Sequence, residues 1–169
     1  HVKKTTRQLE CLKESNCPLE WIEFHVAEWK NEGGLEKEAA TCASLAETAM
    51  ANGKTAVVYT SRTVIDLSDQ TPEQLLAISV RISDALTSVV SRLAKRPRFL
   101  IAKGGITSSD VGTIALAVKK ARVLGQVQPG IPVWKIGEES RFPGMSYIIF
   151  PGNVGDEDTL RKIVEVLNR

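Results

Sequence analysis

The sequence predicts an α/β fold: a three-layer domain with a largely parallel central sheet and helices on both faces. Two observations carry that prediction. Strand-like and helix-like segments alternate along the chain, and the strand-like runs 55–60 and 99–102 are compactly apolar, as strands covered on both faces are. The length sustains it: 169 residues, 43% of them apolar and 25% charged, can bury one core without disulfides or metals.

Taken in order, Thr5-Thr6-Arg7-Gln8 leads into Leu9 and Leu12, the start of a helix capped by Thr5 or Thr6. Trp21, Ile22, Phe24 and Val26 form a short β-prone run after Cys17-Pro18, and Gly33-Gly34 breaks it. Residues 35–51 are an Ala-rich helix that stops at Asn52-Gly53. The run 55–60 is a strand expected to be buried on both faces. Thr71-Pro72-Glu73 then opens the longest helix, with proline at its first position and Leu75, Ile78, Ile82, Leu86, Val89 and Leu93 on its apolar face; Pro97 lies beyond its end. A strand at 99–102 is followed by a helix at about 108–121, strands at 123–127, 133–136 and 147–150, and a closing helix at 156–167. The Pro- and Gly-rich stretch 129–144 is a less regular excursion. No linker or repeat divides the chain, so residues 1–169 are expected to be one domain, and with no initiator Met and no strand before the first helix it is expected to be part of a longer chain.

Composition excludes several classes. No apolar run approaches the roughly 18–20 residues that span a bilayer, and no secretory leader is expected. Lys and Arg number 22 against 20 Asp and Glu, without the clustered excess of a nucleic-acid binder. The balance is uneven: residues 1–50 carry six basic and nine acidic side chains, so the later part has the positive excess, a mild field that suits a small anion or is only a solvated surface. Cys11, Cys17 and Cys42 form no CxxC pair and the histidines have no ligand spacing, so reduced structural thiols in an intracellular, cytoplasmic setting are expected.

Chemistry concentrates at two glycine loops. After strand 99–102 comes Lys103-Gly104-Gly105-Ile106-Thr107-Ser108-Ser109-Asp110. Two glycines allow a sharp turn and leave no Cβ in a ligand's way, and Thr107, Ser108 and Ser109 bring hydroxyls and backbone N–H groups to a helix start, which attracts phosphate. Thr107-x-x-Asp110 is also a passable capping box, so plain capping explains the segment as well. It matches neither the Gly-x-Gly-x-x-Gly fingerprint nor the P-loop. The second loop, Phe150-Pro151-Gly152-Asn153-Val154-Gly155-Asp156-Glu157-Asp158, is crowded with acids that repel phosphate. Gly152 there permits contact with a base or ribose, although capping accounts for the acids alone. Arg141 and Lys103 are each within reach of an anion or ordinary surface charges, and Trp134 is a packing residue more readily than a stacking platform.

Together, Lys103 to Asp110, Val123-Leu124-Gly125-Gln126 with Pro129-Gly130-Ile131-Pro132-Val133-Trp134, and Phe150 to Gly155 resemble the four-carbon acid sugar kinase family, in particular its C-terminal nucleotide-binding domain. The likeness is close over 99–160 and looser in the amino half, where Thr5-Thr6-Arg7-Gln8 carries it. The resemblance implies ATP-dependent phosphorylation of sugar acids of the threonate or erythronate type, with Mg²⁺ on the phosphates. It places ATP contacts at Gly104, Gly105, Ile106, Thr107 and Gly152, to which the residues themselves add Ser108. A further family contact is a Ser in a loop before the first helix; here Val2 or a neighbour stands in that place, leaving Lys3, Lys4 or Thr5 to substitute. The sugar-acid pocket and catalytic base belong to a preceding domain, so this chain alone is expected to have no turnover and no catalytic residue of its own. The amino-terminal variant is most similar to plant members, in which the module is fused between NAD-dependent dehydrogenase-like and class II aldolase-like regions. The alternative is a non-catalytic module that binds a nucleotide or sugar phosphate. A dehydrogenase cofactor domain is disfavoured by the missing fingerprint.

Overall fold

The computed structural model describes residues 3–62 and 69–169. The expectation that His1 or Val2 stands at a family contact lies outside them. In chain order come helix α1 (Lys3–Lys13), strand β1 (Leu19–Phe24), a 3-10 turn (Val26–Lys30), α2 (Gly34–Ala51), β2 (Thr55–Thr60) and α3 (Pro72–Arg92). Then follow β3 (Phe99–Lys103), α4 (Gly105–Asp110) running into a π-helical turn (Val111–Ala115), β4 (Ala121–Gln128), β5 (Ile131–Ile136), β6 (Ser146–Phe150) and α5 (Thr159–Leu167). The chain is α/β, with helices flanking its sheets. It divides into two compact units, one of residues 19–94 and one of residues 1–18 with 95–169.

In the unit 19–94, β1 and β2 pair in parallel, Leu19 opposite Thr55 through Phe24 opposite Thr60. Helix α2 connects them, because parallel neighbours need a long crossover. Its buried face is Ala39, Cys42, Ala43, Ala46 and Ala49, small residues at helical spacing that let the helix lie close to the strands and α3. Thr71 caps α3: its hydroxyl accepts from the Gln74 N–H at 3.3 Å while the Gln74 side chain accepts from the Thr71 N–H at 2.8 Å. The helix ends at Arg92, five residues before Pro97. One expectation is corrected. Every residue of β2 is half-buried, not buried on both faces, because β1 is its one strand neighbour among the described residues of this unit.

The unit containing both glycine loops holds a four-stranded sheet of order β3-β6-β5-β4. β3 and β6 are parallel, Phe99 opposite Ser146 and Lys103 opposite Phe150, and β6–β5 and β5–β4 are antiparallel. The stretch expected to be irregular supplies β5 and the turn that closes a bulged β4–β5 hairpin. Both faces of β6 are covered: Tyr147 and Ile148 point to opposite sides and are 1% and 0% exposed. Leu116, Ile131, Ile136, Met145, Phe150 and Ile163 complete this core. The helix after β3 begins three residues earlier than expected and ends at Ala115 rather than near 121, since β4 already starts at Ala121. Likewise α1 begins at Lys3, ahead of the threonines expected to cap it, and α5 begins at Thr159 rather than 156. No helix among the described residues is long and apolar enough to cross a membrane.

Candidate functional site

Parallel pairing of β3 with β6 sets the carboxyl ends of both strands side by side, so the two glycine loops leave the sheet as neighbours. The Gly104 N–H extends the ladder to the Phe150 carbonyl at 2.8 Å. A Cβ built on Gly152 would stand 4.0 Å from Gly104 Cα. Of the residues singled out in the sequence, Gly104 and Gly152 are therefore brought together, and Gly105, Ile106, Thr107 and Ser108 follow in the first turn and a half of α4.

The start of α4 is uncapped. Gly104 is its N-cap, with φ 114° and ψ 144°, and has no side chain to offer. Thr107 lies inside the helix, so the capping box suggested by Thr107 and Asp110 does not form. The first intrahelical bond runs from the Ser108 N–H to the Gly104 carbonyl at 2.8 Å. That leaves the N–H groups of Gly105, Ile106 and Thr107 without partners inside the helix. A Cβ on Gly105 would meet nothing within 4 Å, so open space lies in front of that residue. Ile106 is 73% exposed.

Ser108 has a different place. It is buried, its hydroxyl donates to the Ala102 carbonyl at 2.7 Å, and its own carbonyl accepts from the Tyr147 hydroxyl at 2.6 Å. It ties the helix start to β3 and β6. Burial pushes the Tyr147 phenol far above its ordinary pKa, so it stays a neutral donor.

The second loop is held through its carbonyls. Lys103 Nζ donates to the Gly152 carbonyl at 3.2 Å, and Lys4 Nζ, from the first turn of α1, donates to the Asn153 carbonyl at 3.2 Å. The Gln8 side-chain amide, fully buried, donates to the Asp156 carbonyl at 2.8 Å. The Lys103 ammonium also lies 4.2 Å from the centre of the Phe150 ring. Of the acids that follow, Glu157 pairs with Arg7 at 3.9 Å and Asp158 with Lys162 at 2.7 Å. Sequence reasoning found Gly152 but gave Lys4 and Gln8 no part in this loop. A polar residue one turn from Lys4 on the same helix face, at i+4, was the available signal.

The other candidates lie elsewhere in the unit. Arg141 is exposed, its guanidinium 5.6 Å from the neighbouring Phe142 ring. Trp134 is half-buried in the cross-strand row of Val123 and Tyr147. A cavity of about 440 Å³ lined by Asn16, Cys17, Pro18, Glu165, Asn168 and Arg169 shares no residue with either loop. No group of three or more His, Cys, Asp or Glu side chains among the described residues is placed to hold a metal ion.

Comparison with known proteins gives a consistent picture. The family model for a nucleotide-binding C-terminal domain matches residues 1–160. No curated protein sequence matches the chain. Among solved structures, a putative tRNA synthase from Salmonella typhimurium LT2 aligns with a TM-score of 0.67 at 19% identity, over 95% of this chain and 37% of that one. A Haemophilus influenzae protein of the DUF1537 family model aligns with 0.63 at 24% identity, over 98% and 38%. A DUF1537 protein from Bordetella bronchiseptica, a domain-swapped dimer with bound citrate, aligns with 0.64 at 15% identity, over 98% and 38%. At such identities these structures share the fold. The chain spans less than two fifths of the length of each.

Proposed function

The chain belongs to the family of nucleotide-binding C-terminal domains, and from that premise we propose that it binds ATP between its two glycine loops as the nucleotide half of a sugar-acid kinase. The observation that carries this is the helix start at Gly104: three N–H groups without intrahelical partners, open space where a Gly105 side chain would stand, and a second loop so near that a Cβ on Gly152 would be 4.0 Å from Gly104 Cα. In this reading the N–H groups of Gly105, Ile106 and Thr107 receive phosphate oxygens, and Gly152 gives the nucleoside close access to the backbone. Ser108 contributes by fixing the turn, since its hydroxyl is committed to Ala102.

ATP supplies the phosphoryl group, and the task of these residues is to orient its phosphates and offset their charge. In this proposal Mg²⁺ enters as a companion of those phosphates, since it is commonly held by one or two carboxylates plus substrate phosphates. The acceptor hydroxyl of a four-carbon sugar acid, its pocket and the catalytic base belong in this proposal to a preceding domain. That the solved structures are more than twice as long leaves room for such a domain. The fused plant-type arrangement suggested by the amino-terminal residues belongs to the same proposal.

Calorimetric titration with Mg–ATP tests the reading, with NAD and a sugar phosphate as competitors. Heat for ATP that is abolished in Gly105→Val, with the fold intact, is the expected result. Equal affinity in that variant refutes the loop assignment, and a preference for the sugar phosphate favours the non-catalytic module. Phosphorylation of threonate by this chain alone refutes the division of labour between domains.

A further inference from the structure

The lysines at the second loop have an unusual electrostatic setting. Lys4 and Lys103 donate to the carbonyls of adjacent residues, Asn153 and Gly152, although they are 99 positions apart in the chain. Neither ammonium forms an ion pair with a carboxylate among the described residues. Carbonyls solvate a cation but do not neutralise it. Each ammonium has three donors and commits one of them to a carbonyl here, and the Lys103 ammonium also lies over the Phe150 ring.

Lys103 is half-buried, which disfavours its charge, and the charged neighbour acting on it is another cation, Lys4. A methionine would occupy the same strand end at lower cost. Lys103 is also the last residue of β3, directly before the Gly104 N-cap, and its ammonium is bonded to Gly152, the residue of the second loop nearest Gly104.

We propose that Lys4 and Lys103 form a two-lysine clamp for a polyphosphate chain at the mouth of the Gly104 turn. The inference takes its ligand class from the nucleotide reading above and adds the residues that select for charge. An anion seated between the ammonium groups relieves their mutual repulsion and receives their remaining donors. The clamp has a pH signature. Burial, and secondarily Lys4, bring the Lys103 pKa down to about 8, so affinity is full below that pH and falls as pH rises through it. A bound anion raises that pKa, so binding above pH 8 takes up a proton from the buffer.

The test is calorimetry of the full chain with sodium tripolyphosphate and, separately, Mg–ATP, at pH 7 and pH 9 and in two buffers of different ionisation enthalpy. Circular dichroism verifies the fold of each variant. Lys103→Met is expected to weaken both ligands by about tenfold or more at pH 7, the worth of a charge-assisted hydrogen bond. Lys103→Arg is expected to retain affinity and to lose the fall between pH 7 and pH 9, because guanidinium does not titrate there. Lys4→Met is expected to weaken binding at pH 7 and to move the midpoint of the fall upward, since the repelling charge is gone.

Undiminished ATP affinity in both methionine variants overturns the clamp and leaves the nucleotide reading standing. Lysine-dependent binding of tripolyphosphate without binding of ATP supports the clamp and overturns the nucleotide reading. Binding of neither ligand by the unaltered chain overturns both.

Discussion

The Tyr147 hydroxyl donates to the Ser108 carbonyl at 2.6 Å, joining the start of β6 to the helix that follows β3. Ser108 in turn anchors its hydroxyl on Ala102, so strand, helix start and neighbouring strand are locked by two buried hydrogen bonds. That lock holds the turn at Gly104 in place. Tyr147→Phe keeps the ring packing and deletes one bond, so a loss of about 1 kcal/mol in urea unfolding is expected. Stability equal to that of the unaltered chain would show that the bond does not hold the turn.

Gly104 and Gly105 are adjacent and do different work. At φ 114° and ψ 144°, Gly104 occupies backbone space that a side chain strains, and Gly104→Ala is expected to cost about 1–3 kcal/mol. Gly105 lies outside that region with nothing near its missing Cβ, so Gly105→Ala is expected to stabilise the fold by up to about 1 kcal/mol. Denaturant midpoints of the two variants decide the matter. A similar loss in both would mean that Gly105 also serves the fold.

His25 carries a pH dependence into the other unit. Its Nδ1 lies 2.6 Å from Glu38, which also accepts from the His25 N–H at 2.8 Å, and this hydrogen bond raises the imidazole pKa above its ordinary value. A raised pKa in the fold means that the pair contributes fully below about pH 6.5 and loses its contribution as pH climbs through the raised value. The imidazole is largely exposed, so the effect is expected to be below about 1 kcal/mol. The stability gap between the unaltered chain and His25→Gln should be wider at pH 5.5 than at pH 9. A gap that does not change with pH would discount the charged pair.

Cys42 is 0% exposed, and burial, helped by Glu38, pushes its thiol up to about 11. Cys11 and Cys17 are half-buried. Alkylation of the native chain at pH 8 is therefore expected to label Cys11 and Cys17 and to spare Cys42 until the chain is unfolded, as followed by mass spectrometry. Labelling of Cys42 at the rate of the other two would mean that its helix opens readily.

Local signals were legible where they are local in origin. Asn52-Gly53 stopped α2 and Thr71-Pro72 opened α3 because caps act within one turn. The 108–121 helix was overextended because Leu116 and Val118 continue an apolar pattern, while the backbone passes through a π turn and Ala117 takes a φ of 53°. Nothing in a periodicity encodes that exit. Thr107 and Asp110 matched a capping box by spacing, but the helix had already begun at Gly105.

By itself the sequence determined the α/β class, the order of most elements and the two glycine loops, since alternating patterns and strand-to-helix glycines are properties of neighbouring residues. Only the tertiary structure decided that the loops are partners. The choice of β6 as the parallel neighbour of β3 is made between segments more than forty residues apart, by core packing around Tyr147, Ile148 and Phe150. That choice puts Gly152 near Gly104 and Tyr147 on the Ser108 carbonyl, while α1, packed on α5, brings Lys4 to the same loop as Lys103. In the sequence Lys103 is within reach of an anion or an ordinary surface charge, and Lys4 is one of three residues that could substitute at a family contact. Their distinct chemistry comes from burial and from each other, and neither exists until the chain has folded.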